Sequence, residues 1–406
     1  MTAPAVAVRL RRRVLPVQTA EARERRWVGL VWGLLVLNVL TYSGSLLHIP
    51  TFVGKAITQG ALPVALLAAL ALNRRLIIRP NVFLTLVSVL VAEAVLTTLQ
   101  PQYFGTIYRT FRFAEFVVTL WLLTPWWGRR DLLLIRCHLI ALLVVLGSVI
   151  LGLVVAPGSA MTAGRLTGVI WGIPATQVAH YAAVTLGLVL VLWLCGQVGG
   201  RRILLIVTGA VVVLILTHTR TALVGAVTGI MVAGLSLIVA KARVRKFLVA
   251  ASGVVLIVAL TLSNVIATWL ARGEGTHQLA NLTGRTKVWG PLLALPRDKF
   301  QEIFGFGLSN DSFNGLPIDS NWLAAYQTQG LFGIFICAAL LLFLLVTAYF
   351  QPRGVRRALA LFLITFCLVS SFTEVGFLDA SMYLLDLALA ASLIVPMSAS
   401  RNPAWE

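Results

Sequence analysis

Runs of about twenty apolar residues, parted by short basic stretches, recur from Trp27 to Pro396 and leave this chain few folds to adopt. A backbone surrounded by hydrocarbon must satisfy its own N–H and C=O groups, so each run reads as a helix and not as an open strand. With 59% hydrophobic residues over 406 positions, the chain holds more apolar side chains than one globular core can bury. We expect an all-α integral membrane protein with about twelve transmembrane helices, near 27–46, 55–72, 82–99, 108–124, 132–155, 175–196, 202–217, 221–240, 247–268, 321–349, 355–374 and 378–396.

Basic residues set the orientation. Arg9, Arg11, Arg12, Arg13, Arg23, Arg25 and Arg26 precede the first apolar run, and no A-x-A cleavage site follows it, so the first span is expected to be retained. With that tail inside, alternate loops carry Arg74, Arg75 and Arg79; Arg129, Arg130 and Arg136; Arg201 and Arg202; Lys241 to Lys246; and Arg353, Arg356 and Arg357. Most of the 33 lysines and arginines then lie on the cytoplasmic side. The expected organisation is a basic tail (1–26), helices 1–9 (27–268), a large extracytoplasmic loop (269–320), helices 10–12 (321–396) and a short tail (397–406). A formal net charge of +19 invites a nucleic-acid reading. The charges flank apolar helices as a topology signal does, which argues against nucleic acid and for the bilayer as partner. Cys137, Cys195, Cys337 and Cys367 fall in or beside spans without a CxxC pair, as core packing does.

Ionisable groups inside spans cost roughly 2.5–3.5 kcal/mol each, which makes them functional suspects. On this topology Glu93, Arg109, Arg112, Glu115, His180, His218, Arg220, Glu374 and Asp379 fall in outer halves of spans or in outer loops, with Arg165, Arg285 and Asp319 in the loops proper. Asp386, near the middle of the last span, is the exception. One-sided placement describes a polar pocket opening outward, whereas an ion route wants charges at successive depths. Arg109, Arg112 and Glu115 also have the spacing of a neutralised helix-end cluster.

Three stretches carry chemistry. In "LTHTRTALVG", Arg220 stands in a tight turn between two apolar runs, where a guanidinium is a good fork for phosphate oxygens. "LANLTGRTKVWGPLL" supplies Arg285 beside Lys287, with Gly284 permitting close backbone approach; a solvated basic loop is the plain alternative. "IDSNWLAAYQTQGLFG" places Asp319, Ser320 and Asn321 at the mouth of span ten, followed by Gly330 and Gly333, which permit tight helix contact. No HExxH, DxD or His/Cys set with ligand spacing is present, so neither a metal nor another cofactor is expected.

Together these stretches resemble the O-antigen ligase and polymerase superfamily, in which a Thr/Ser-x-Arg-Thr turn, a loop Gly-Arg and a His-led signature ending Gly-x-x-Gly follow in this order. "GRLTGVIWGIPATQVAH", from Gly164 to His180, is similar to the family's Arg-plus-Gly outer loop. The resemblance implies a membrane glycosyltransferase of the GT-C kind in the bacterial cytoplasmic membrane, with its site on the extracytoplasmic side. It implies inverting transfer of glycan from a polyprenyl-diphosphate donor to a hydroxyl of an acceptor glycan, as a ligase or a polymerase, without metal. By position, Arg220 and Arg285 match the arginines that hold the diphosphate. Arg165, Lys287, His218, His180, Ser320, Asn321, Arg109 and Arg112 are further candidates for donor or substrate binding. The signature histidine falls on Asp319, a departure that a carboxylate general base would tolerate. Asp319 is alternatively a helix N-cap, or His180 or His218 takes the base role. A non-catalytic flippase or exporter of lipid-linked glycan is the rival function, and a structural partner with a decayed site is a third.

Overall fold

The computed structural model describes residues 5–99, 104–239, 241–261, 264, 268–269, 286–308 and 312–396. The helices are α1 (Ala5–Val39), α2 (Thr51–Leu72), α3 (Val82–Thr98), α4 (Phe104–Leu122), α5 (Leu133–Val155), α6 (Pro157–Ala160), α7 (Ala175–Leu194), α8 (Gly200–Leu216), α9 (Arg220–Leu237), α10 (Ala242–Thr261), α11 (Thr286–Leu293), α12 (Lys299–Phe304), α13 (Asn321–Phe350), α14 (Val355–Ser370) and α15 (Met382–Ile394). Two small antiparallel hairpins, β1 (Met161–Thr162) with β2 (Arg165–Leu166) and β3 (Ser312–Phe313) with β4 (Leu316–Pro317), decorate the connections.

Every segment expected to cross the bilayer is helical over most of its length. Among the described residues, five helices, α2, α5, α7, α9 and α13, are long and apolar enough by length and composition to span a membrane. The exterior of the bundle is apolar: Val144, Val154, Leu204, Leu205 and Phe335 are largely exposed, as suits side chains facing lipid. The interior is built around α7, buried along nearly its whole length, with α14 and α15 beside it.

Small residues set that packing. On α9, Gly225, Ala226, Gly229 and Ala233 form a groove for Phe362 and Phe366 of α14, the kind of face that lets apolar helices approach closely. A Cβ added at Gly229 would stand 3.0 Å from the Phe362 carbonyl oxygen, and one at Gly187 of α7 would overlap Phe362 Cζ. Gly187→Ala is therefore expected to destabilise the bundle by about 1–3 kcal/mol through overpacking. At Gly147 of α5 an added methyl would meet no atom within 4 Å, and Gly147→Ala should be neutral or slightly stabilising. Equal thermal unfolding of the two variants in detergent would contradict this packing.

The bundle has two distinct ends. At the arginine-rich end, guanidinium groups meet carbonyls at and beyond helix C-termini, where positive charge is favoured. Arg356 Nη2 donates to Val395 O at 2.7 Å beyond α15, and Arg243 Nη1 donates to Trp193 O at 2.9 Å in the last turn of α7. Glu21 and Glu24 of α1 pair with Arg25 and Arg129 there. These arginines thus have structural partners beyond any topological role.

At the opposite end, the loop end, α13 departs from the expected single span. As one straight helix its 30 residues would reach about 45 Å, against an apolar bilayer core of about 30 Å. It breaks instead at Gly330, where φ is 63° and ψ is −157°. The break frees the carbonyls of Gln327 and Thr328, which accept from Phe306 N at 3.0 Å and Gly307 N at 2.9 Å. Gln329 Nε2 donates to Leu90 O of α3 at 2.9 Å, tying the bend to the bundle. Gly330 does permit the expected tight helix contact, but its partner is the short helix α12 and not another span. A Cβ at Gly330 would overlap the carbonyl carbon and oxygen of Ile303 in α12, and one at Gly333 would fall 2.5 Å from Gln329 Cβ. Both glycines accommodate the break, leaving 331–350 as the membrane-length portion.

Candidate functional site

The loop end gathers three of the stretches that the sequence singles out. In the β1–β2 hairpin, Ala163 (φ 48°) and Gly164 (φ 70°) both adopt positive φ, the backbone of a tight two-residue turn. Arg165, the next residue, is half-buried and reaches away from the hairpin. Its Nε donates to Thr217 O at 3.0 Å and its Nη2 to Thr219 Oγ1 at 3.0 Å. Arg165 thereby holds the three-residue turn between α8 and α9. Burial lowers its pKa from the ordinary guanidinium value, while the negative charge of Glu374 acts in the opposite direction.

Within that turn Thr217 and Thr219 are buried, His218 takes a left-handed conformation (φ 49°), and Arg220 is the first residue of α9. The His218 ring stacks on Trp269 with centroids 5.2 Å apart. Arg220 is half-buried and is the first residue of an 18-residue helix, so a cation and a helix N-terminus come from the same turn. Cationic side chain and helix N-terminus together favour an anion.

A second contact carries the turn to α14. Thr221 Oγ1 and Thr373 Oγ1 are 2.7 Å apart, and Glu374 follows in the connection between α14 and α15. That connection also clamps the start of α13. Asn321 N donates to Ser371 O at 2.9 Å, Asn321 Oδ1 accepts from Gly376 N and Phe377 N at 3.2 and 2.9 Å, and Trp322 Nε1 donates to Ser371 Oγ at 3.1 Å. Asn321 and Ser320 are buried, whereas Asp319, just before them, is half-buried. Ser320 occupies the N-cap position of α13 without a side-chain capping bond, so Asp319 lies outside the cap proper.

The remaining predicted residues fall in different places. Arg285 lies outside the described residues. Lys287 is the second residue of α11, whose Val288 and Leu292 pack with Ile318 and Ala324, so α11 lies against the segment bearing Asp319. Arg112 donates to Asn38 Oδ1 of α1 at 2.9 Å and lies over the Tyr108 ring, and Arg109 precedes it on α4. Arg297, which the sequence reading did not single out, stacks 4.1 Å from the Tyr326 ring centroid and donates to Tyr326 O and Gln327 Oε1. It fastens the chain before α12 onto 321–329. A basic residue beside Pro296 in a loop carries no local signal for such a contact.

His180 differs most from expectation. Assigned by the sequence to the donor side, it is instead buried, its Nε2 2.7 Å from Asp386 Oδ2. The other carboxylate oxygen, Oδ1, stands 3.1 Å from His138 Nε2, and Trp32 Nε1 donates to His138 Nδ1 at 3.2 Å. Four helices, α1, α5, α7 and α15, meet at this cluster. His138 was not singled out from sequence, although it is an ionisable residue within an apolar run, the same signal that marks His180 and Asp386.

Neither a protein-family model nor a curated protein matches the chain.

Proposed function

We propose that the protein is a metal-independent, inverting glycosyltransferase of about twelve spans. Its site faces the extracytoplasmic side of a bacterial cytoplasmic membrane, and it transfers glycan from a polyprenyl-diphosphate carrier to an acceptor sugar hydroxyl as a ligase or a polymerase. One observation carries the reading: Arg165, the Arg220 turn, the Glu374 connection and the Asp319–Asn321 segment form a continuous chain of contacts at one end of an apolar helical bundle. A lipid-linked substrate offers an anionic diphosphate at the membrane surface and a glycan in water, which calls for cations and a base at that level.

In the proposed step the acceptor hydroxyl oxygen attacks the anomeric carbon as the bond from that carbon to the diphosphate oxygen breaks. Asp319 takes the hydroxyl proton, which makes the oxygen a competent nucleophile. Arg220 and Arg285 meet the charge that develops on the leaving diphosphate, in the place a divalent cation would otherwise fill. Arg165 keeps the Arg220 turn in shape.

The test uses cells lacking the protein, rescued with wild type or with Asp319→Asn, and measures the glycan left on the polyprenyl carrier. Loss of the base should slow transfer by about 10²–10⁴-fold. Single repeat units accumulating in the null and the Asn strain alike identify a polymerase, and full-length chains stranded on the carrier identify a ligase. Normal carrier-linked glycan in the Asn strain rejects Asp319 as the base. The exporter reading draws support from the buried His138–Asp386–His180 cluster, because ionisable groups deep in the bundle suit ion coupling. It expects Asp319→Asn to be tolerated.

A further inference from the structure

We propose that His180 and Asp386 form a proton-binding site buried within the helical bundle, with His138 and Trp32 fixing its hydrogen-bond polarity. The inference stands apart from the glycosyl-transfer step proposed above, which uses neither His180 nor Asp386.

The polarity follows from Trp32. An indole N–H can only donate, so the 3.2 Å contact from Trp32 Nε1 makes His138 Nδ1 an acceptor with a bare lone pair. The one proton of His138 then resides on Nε2, which stands 3.1 Å from Asp386 Oδ1 without making a hydrogen bond to it, and His138 is a neutral imidazole. The variable proton is left to the His180–Asp386 pair. With one proton between Nε2 and Oδ2, 2.7 Å apart, the pair carries a net charge of −1. With two protons it is neutral, an imidazolium beside a carboxylate.

The surroundings favour the second state. Asp386 and His138 are fully buried and His180 is 3% exposed. Among the described residues, the titratable groups whose interaction reaches Asp386 are His138 from α5, His180 and Tyr181 from α7, Cys367 from α14 and Tyr383 from α15 itself. None of these is a lysine or an arginine, so no fixed positive charge among them offsets the carboxylate. An uncompensated charge in such a place is costly, and uptake of one proton removes it. His180 Nδ1, buried and without a hydrogen-bond partner, is the seat for that proton. The step balances: hydronium gives its proton to the imidazole and becomes water, and the carboxylate remains ionised. Tyr383, whose ring centroid lies 4.3 Å from that of His180, interacts with Glu374 towards the loop end.

The experiment is ¹⁵N NMR of the full-length, histidine-labelled protein in lipid nanodiscs, from about pH 5 to about pH 9. Assignment uses His138→Gln and His180→Gln. His138 should give one neutral signal with a bare Nδ1 throughout, and His180 should be doubly protonated near neutral pH. In Asp386→Asn, His180 should become neutral near neutral pH. A His180 ring that is neutral over the whole range in the wild type overturns the proposal, as does one that stays doubly protonated in Asp386→Asn. If that variant does not fold, the wild-type state of His180 decides.

Discussion

Replacing Arg220 by glutamine should lower glycosyl transfer by about 10²–10³-fold, the size of effect seen when one preorganised group opposite developing charge is removed. Two features of the turn make the expected loss this large. The guanidinium is half-buried, so its field is less screened by water than that of a surface arginine. It also begins α9, where the helix N-terminus reinforces it. Arg220→Lys keeps the charge but loses the planar fork and should fall between glutamine and wild type. Arg165→Gln should reduce transfer by another route: it releases Thr217 O and Thr219 Oγ1, loosens the turn and lowers thermal stability as well. The measurements are the initial rate with purified lipid-linked donor and the unfolding temperature in the same detergent. Wild-type turnover in Arg220→Gln would remove Arg220 from the reaction and with it the main cation of the proposed site.

The second large effect is structural. Gly330→Ala should destabilise the protein by on the order of 2–4 kcal/mol, because two penalties act at one residue. Its φ of 63° disfavours any side chain, and the new Cβ would overlap Ile303 backbone atoms that cannot rotate away. Gly315 separates the two penalties. It also has positive φ (77°) in the β3–β4 turn, but a Cβ there meets no atom within 4 Å, so Gly315→Ala should cost only about 1–2 kcal/mol. Thermal unfolding of both variants provides the check. If they melt together, the contact between α12 and the broken helix does not constrain the bend. Because 321–329 follows directly on Asp319, loss of the bend should also move the proposed base.

The helices were legible because the cause of each is local. An apolar run of about twenty residues has to close its own hydrogen bonds wherever hydrocarbon surrounds it, and no distant residue changes that requirement. Arg165 and Arg220 were legible as individual suspects for a similar reason: a charge beside an apolar run stands out without any knowledge of its neighbours. What each charge touches was not legible. The sequence reading set His180 with an outward-facing pocket and Asp386 apart from it as a mid-span exception, yet the two meet across 206 residues of sequence. Their partner His138 attracted no notice beside Arg136 and Cys137. Gly330 read as a helix-contact glycine, and it does meet α12, but nothing near it in sequence announces that Ile303 and the 305–307 backbone stand ready to fill and cap a break. Composition and spacing by themselves determined an apolar helical protein with basic flanks and a short set of suspect charges. Tertiary structure alone decided which of those charges gather at the loop end and which are sealed inside, because hydrophobicity acts on each segment separately while the partner of a buried charge depends on how remote helices pack.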